Sequence, residues 1–293
     1  MIPLRTFAGA PRKHSSGNVR CPPAAGRGVP PHNLNHAAAS IPGPSPHAAG
    51  DRNRPKILAW LPEGALVWCG SVGAEDPKEI VRRGYDALSE HYDEQYGGDT
   101  KYGAWLEELR GRVPAGSAVL DLGCGSGIPV ARDLAASGYR VTGVDISEVQ
   151  IRRASQIVPD AEFIQADMTS VAFSPGSFAA VVSFFALIHL PLEDQFPLLA
   201  RIASWLAPGG TLVATTGYWA WTGTDDNWLN GGVPMWWSHA DVAAYRSWIS
   251  QAGFLIEREE FVPEGEGGHA LFWARRMRED RKRRGRYLCS RVP

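Results

Sequence analysis

Asp121, Gly123, Gly125 and Gly127 stand together in one short stretch, and Asp145, Asp167 and His189 follow at regular intervals. Three carboxylates and an imidazole can hold a cation, accept from a sugar diol or move a proton. Glycines let a ligand approach backbone N–H groups without Cβ obstruction. The pattern around these residues narrows the choice. A dinucleotide fingerprint needs a third glycine at position 128 or 130, where Ile128 and Val130 stand, and no Gly-Lys-Ser/Thr follows to make a phosphate loop. Asp145 closes a short apolar run, where a strand-tip carboxylate can accept two hydrogen bonds from a ribose. Together these residues select an adenosine-type ligand without a pyrophosphate.

The positioning elements can be read outward from there. Ala118 to Leu122 is an apolar run broken only by Asp121, hence a buried strand. Gly125, Ser126 and Gly127 lead into 128–137, which has helical periodicity closed by Gly138 as the C′ residue. Such a strand-turn-helix unit aims helix-terminal N–H groups at the end of the sheet. Tyr139 to Val144 reads as the second strand, and Ser147 with Gln150 as a capping-box helix start. Then come strands at 161–165 and 178–184, a helix over 192–206 closed by Pro208 and Gly209, and a strand over 211–215. The alternation predicts a parallel sheet covered on both faces, with ligands at the carboxyl ends of its strands.

Upstream, Asp76, Pro77 and Glu79 supply an N-cap, an N1 proline and an N3 carboxylate for a helix whose Val81, Tyr85, Leu88 and Tyr92 share one face. A second short helix carries Trp105, Leu106 and Leu109. Downstream, 217–237 shows little periodicity yet holds Trp219, Trp221, Trp228, Trp236 and Trp237, five of the eleven tryptophans. Ser238 and Asp241 start a helix that ends near Gly253, and 254–261 with 269–273 read as a terminal pair of strands.

In order and spacing, Val-Leu-Asp-Leu-Gly-Cys-Gly-Ser-Gly, Val-Thr-Gly-Val-Asp-Ile-Ser, Gln-Ala-Asp-Met and Leu-Ala-Pro-Gly-Gly resemble class I S-adenosylmethionine-dependent methyltransferases, over roughly Arg82 to Arg275. The resemblance implies a doubly wound, Rossmann-like α/β fold: a seven-stranded sheet, mostly parallel with the last strand antiparallel, and helices on both faces. It implies S-adenosylmethionine as cofactor and S-adenosylhomocysteine as product, with no metal. By the same resemblance Gly123, Gly125 and Gly127 contact the amino-acid end of the cofactor, and Asp121 helps hold its ammonium. Asp145 takes the ribose and Ile146 flanks the adenine. Asp167 accepts from the adenine amino group, Met168 covers the ring, Phe184 touches the methionine portion, and Tyr92 of the Tyr92-Asp93 pair closes over the ligand. The family's aromatic-aspartate pair at the start of the fourth strand is absent, because Ala179 follows Phe178.

His189 has a pKa range suited to proton transfer and is the candidate catalytic residue, either as base or as a residue that shapes the pocket; His239 is its rival. Tyr85, Trp219, Trp221, Trp236 and Trp237 are the candidate acceptor contacts, whereas Trp228 is expected to pack. Large flat walls suit a small, largely apolar acceptor with a reacting O, N or C atom. The alternatives are an RNA, DNA or protein methyltransferase, and a non-catalytic S-adenosylmethionine-binding protein.

The 293 residues, 44% hydrophobic and with a formal net charge of -1, can bury one substantial core and show no global nucleic-acid signature. Eight basic residues between Arg275 and Arg286 raise RNA or DNA as a partner, but a solvated tail over 276–293 accounts for them. The longest apolar stretch, Phe178 to Leu190, is shorter than the ~20 residues a bilayer needs, so no membrane partner is expected. Cys21, Cys69, Cys124 and Cys289 lack CxxC spacing, which points to a reducing cytoplasm and away from zinc or disulfides. Residues 1–73, rich in Pro, Ala, Gly and His, read as a disordered extension of a catalytic domain over 74–275. A monomer or homodimer is expected.

Overall fold

The computed structural model describes residues 75–98, 100–265 and 267–278. The N-terminal extension and nearly all of the basic tail lie outside the described residues.

Helix α1 (Pro77–Tyr96) begins as its residues dictate: the Asp76 carboxylate accepts from the Lys78 N–H at 3.0 Å and Pro77 takes the first turn. Glu79 pairs with Arg82 instead of reaching back to the cap. Helix α2 (Lys101–Arg112) buries Tyr102, Trp105, Leu106 and Leu109. Strands and helices then alternate: β1 (Ala118–Leu122), α3 (Val130–Ala136), β2 (Arg140–Asp145), α4 (Glu148–Ile157), β3 (Glu162–Gln165), β4 (Phe178–Ser183), α5 (Leu192–Trp205) and β5 (Leu206–Gly217). A two-stranded insertion, β6 (Trp221–Asp225) and β7 (Met235–His239), precedes α6 (Val242–Gln251), β8 (Phe254–Glu264) and β9 (Gly267–Arg276).

The main sheet has seven strands in the order β3-β2-β1-β4-β5-β9-β8. The first five run parallel, while β9 is antiparallel to both β5 and β8. Strand periodicity sends alternate residues to opposite layers. Leu120, Val181 and Phe272 join one core with Leu198 and Ile202 of α5 and Tyr245 of α6. Val119, Val182, Leu271 and Trp273 join the other with Leu106 of α2 and Leu134 of α3. Each side chain of this size contributes about 1.5–3 kcal/mol by its burial, so both faces stay covered and function is left to the strand ends. Among the described residues no helix is long and apolar enough to cross a membrane.

Two local expectations change. The segment 217–237 is not aperiodic: Trp221 pairs with His239, Thr222 with Ser238 and Thr224 with Trp236 in an antiparallel ladder. Its burial comes from Met235 lying over Gly84 of α1, a contact distant in sequence, and the small polar residues of β6 give no alternation to read. Consequently Ser238 belongs to β7, and Asp241 alone caps α6, accepting from Ala244 N at 2.8 Å. Strand β5 also starts earlier than 211, pairing through Leu206 before a register shift that takes up Gly209 and Gly210.

Candidate active site

A cavity of about 980 Å³ opens at the carboxyl ends of β1, β2 and β4. Its floor is the glycine turn, which the Gly123 and Cys124 N–H groups anchor by donating to the Val144 carbonyl at 2.8 and 3.0 Å. Gly123 has φ 76°, and a Cβ there would lie 2.2 Å from Ala186 Cβ, so both backbone and space require glycine. At Gly125, φ 54°, an added Cβ would meet nothing nearer than Gln150 Nε2 at 3.9 Å; the turn faces open room there. Gly127 is different. It faces Val158, Phe163 and Ala131 and is not part of the cavity lining.

Asp121 is buried, and its Oδ2 has no hydrogen-bond partner among the described residues. Burial, with the neighbouring Asp145, pushes its pKa up to about 8. Such an acid calls for a cation. Asp145 is raised to about 6 by burial, against the pull of two backbone donors, Ser147 N and Gly125 N, each at 2.9 Å. Asp167 goes the other way: burial would raise it, but Lys78 Nζ at 2.9 Å and the Thr169 N–H and hydroxyl, both at 2.8 Å, hold it below the ordinary carboxylate range. Ile146, Met168, Phe184 and Tyr92 also line this cavity.

Helix α1 covers the site and is tied down along its length. Lys78 Nζ bridges Asp167 and Asp194, at 2.9 and 2.6 Å. Asp86 accepts from Ser147 Oγ at 2.6 Å, Ser89 donates to Gln150 Oε1 at 2.6 Å, and Asp93 accepts from Ser126 Oγ at 2.9 Å and Arg153 at 2.8 Å. Sequence reasoning missed Lys78, Ser126 and Gln150 as site residues. Gln150 reads locally as a cap partner, yet it is buried in the cavity lining with its Nε2 unpartnered among the described residues.

His189 ends a single 3₁₀ turn, Leu187–His189, just past β4. Its Nδ1 lies 2.7 Å from the Trp236 carbonyl, which can only accept; the proton therefore sits on Nδ1 and leaves Nε2 as an acceptor. The Tyr85 hydroxyl donates to that Nε2 at 3.1 Å. Burial lowers the His189 pKa to about 4, so the ring is neutral at ordinary pH. His239 instead lies 2.6 Å from the Trp219 carbonyl and lines neither this cavity nor its neighbour.

A second cavity, of about 660 Å³, lies against the first, and both are bounded by Tyr85, Tyr92, Tyr102, Phe185 and His189. Of the candidate acceptor contacts, Tyr85 and Trp237 line it. Trp236 supplies its carbonyl to His189 while its ring lines a separate shallow groove beside Lys78. Trp219 and Trp221 are 54% and 48% exposed and stand apart from both cavities, with Trp219 packed on Tyr218 and Phe261. Trp228, expected only to pack, does pack with Val81 and Met235, and it also walls the second cavity 5.0 Å from the Tyr85 ring.

Residues 119–210 match a family described as a methyltransferase domain. The 27-O-demethylrifamycin SV methyltransferase of Amycolatopsis mediterranei is 34% identical over 158 residues, which are 46% of this chain and 57% of that protein. The 2-methyl-6-phytyl-1,4-hydroquinone methyltransferase of Synechocystis is 36% identical over 118 residues, 39% of this chain and 35% of that one. A solved S-adenosylmethionine-dependent methyltransferase from Mesorhizobium loti superposes with a TM-score of 0.50 at 26% identity, covering 61% of this chain and 99% of its own. The chain thus spans about half the length or less of these two curated relatives. Strand order, glycine turn, strand-tip acids and these matches make the chain similar to the class I S-adenosylmethionine-dependent methyltransferases.

Proposed function

We propose that the protein transfers a methyl group from S-adenosylmethionine to an O, N or C atom of a small, largely apolar metabolite. The observation that carries this reading is the meeting of two cavities at the Tyr85–His189 pair, one lined with buried acids and bare glycine backbone, the other with rings. The residues of the first cavity suit the cofactor: the unpartnered Asp121 oxygen takes an ammonium, Asp145 takes the ribose hydroxyls, and Asp167 has acceptor capacity left for the adenine amino group. Ile146, Met168 and Phe184 give the apolar lining, and Tyr92 covers it. When bound, S-adenosylmethionine supplies a methyl group on a positively charged sulfur, already a good leaving group. The protein's tasks are therefore alignment, exclusion of water and, for a protic acceptor, removal of a proton. We assign that proton to His189 Nε2, which is neutral at the shared wall and, with its pKa of about 4, a weak base, and which accepts it as the Tyr85 hydroxyl yields its position. The relatives named for rifamycin and hydroquinone acceptors support a small-molecule substrate over a nucleic acid or protein.

Calorimetric titration with S-adenosylhomocysteine tests the reading. Binding is expected, and Asp145→Ala should weaken it about 100-fold, the worth of two charge-assisted hydrogen bonds. At a hundred times Kd the ligand should raise stability by about 2.7 kcal/mol. Absence of binding overturns the proposal; binding without release of labelled methyl to any small acceptor in a broad panel leaves only the non-catalytic alternative.

A further inference from the structure

We infer that Lys78 is a positioning residue for the nucleoside base: it makes the Asp167 carboxylate a fixed acceptor for one N–H donor, so that the acid-lined cavity selects a purine with a 6-amino group over one with a 6-oxo group. This deepens the methyltransferase reading and rests on it.

Lys78 stands in the first turn of α1, and Asp167 follows β3, 89 residues further along the chain. Both line the acid-lined cavity, and their side chains are 18% and 27% exposed, so both keep accessible surface. The Lys78 ammonium has three protons, and three oxygens receive them: Asp167 Oδ2 at 2.9 Å, Thr169 Oγ1 at 2.9 Å and Asp194 Oδ2 at 2.6 Å. No donor is left over for a ligand, so Lys78 acts on one only through Asp167.

Asp167, by contrast, is not saturated. An ionised carboxylate offers about four acceptor positions. Oδ2 takes Lys78 Nζ and the Thr169 hydroxyl, and Oδ1 takes the Thr169 N–H. Among the described residues one position stays open, on Oδ1. Lys78 also donates to the same Thr169 hydroxyl, which closes a triangle of hydrogen bonds that fixes the rotation of the carboxylate. The loop behind it is held as well: the Thr169 carbonyl accepts from Arg201 of α5, and Ser170 Oγ donates to the Asp167 carbonyl at 2.8 Å. Burial opposes the charge on Asp167, but Lys78 and the Thr169 donors outweigh it and hold the acid below the ordinary carboxylate range. It accepts and does not donate. One open acceptor fits one N–H of an exocyclic amino group. An oxo group in its place sets oxygen against a carboxylate and leaves both without a proton, and a site built to bond a donor rejects such an analogue strongly.

Asp194 separates the two roles that Lys78 could have. It stands in the first turn of α5 and does not line this cavity, so its bond to Lys78 ties α1 to α5 without touching the acceptor on Asp167.

The test is calorimetric binding of S-adenosylhomocysteine and of its inosine analogue, S-inosylhomocysteine, to the full chain. The unaltered protein should prefer the adenine compound by about 10- to 100-fold, the range of one hydrogen bond to a charged group. Lys78→Met keeps the apolar stem without the charge and should cut that preference at least about fivefold; Lys78→Gln serves if that variant does not fold. Asp194→Asn leaves the contact of Lys78 with Asp167 and should hold the preference within about twofold. No preference in the unaltered protein overturns the inference. So does a Lys78 variant that weakens both compounds alike, which would make the residue a strut of α1 and nothing more, or a loss of preference in Asp194→Asn as large as in the Lys78 variants. Failure of the unaltered protein to bind either compound would instead sink the methyltransferase reading.

Discussion

The two cavities share a wall but are made of different material. The first is built at the tips of parallel strands, from backbone turned by glycines and from acids whose ionisation burial opposes. The second is assembled from side chains that α1, α2, the β6–β7 hairpin and the β8–β9 turn bring together from distant parts of the chain. A cavity of backbone and strand tips accepts little variation, because one added Cβ at Gly123 collides with Ala186. A cavity of rings can be reshaped by exchanging one ring for another. Under the proposed function the molecule keeps a fixed chemistry beside an adjustable recognition surface, a division by which one fold can serve many acceptors.

Three measurements sharpen that contrast. The largest effect belongs to Trp228, buried where α1 meets the insertion: Trp228→Ala should cost roughly 3 kcal/mol of stability in denaturant unfolding. S-adenosylhomocysteine affinity should stay close to that of the unaltered protein. A large loss of nucleoside affinity would show that the second cavity's walls also hold the first in shape.

The next concerns protons. Asp121 has a folded pKa of about 8 against an ordinary value of 3.8, so its neutral form favours the ligand-free fold. That contribution is complete below 3.8 and is lost as pH rises through 8. A ligand ammonium reverses the preference. Binding at pH 7 should therefore release about nine-tenths of a proton, and affinity should climb with pH up to about 8. Calorimetry in buffers of different ionisation heat measures the release, and Asp121→Asn should abolish it. A release that persists in the variant would assign the proton elsewhere and erase the claimed role of the buried acid.

The smallest effect is expected at Trp219, whose ring lies outside both cavities: Trp219→Ala should change stability by no more than about 0.5 kcal/mol and leave ligand affinities alone. An altered acceptor affinity would extend the recognition surface to the outer rings.

The same contrast explains what the amino-acid sequence discloses. The alternating strands and helices were legible because strand-turn-helix units leave local marks, apolar runs, glycines at the turns and caps at Asp76, Ser147 and Asp241, whereas the strand count and the antiparallel last strand came from the family resemblance. The strand-tip acids are local in the same sense. Lys78 left no such mark, since its meaning lies in Asp167 and Asp194 far along the chain. His269 and Glu264 reach the second cavity only through strand reversal. Among the tryptophans, composition suggested a wall, but pairing across β6 and β7 decides which rings turn inward. Thr222 and Thr224 carry no apolar rhythm that could have announced that pairing.

Helix α1 has a thermodynamic consequence. It carries Tyr85 and Tyr92 into both cavities at once, so neither guest meets a partition independent of the other. Whatever factor the nucleoside imposes on acceptor affinity must be returned in full when the order of arrival is reversed. Under the proposed function one helix joins two binding events into a closed cycle, and the polar ties at Lys78, Asp86, Ser89 and Asp93 hold that helix in place.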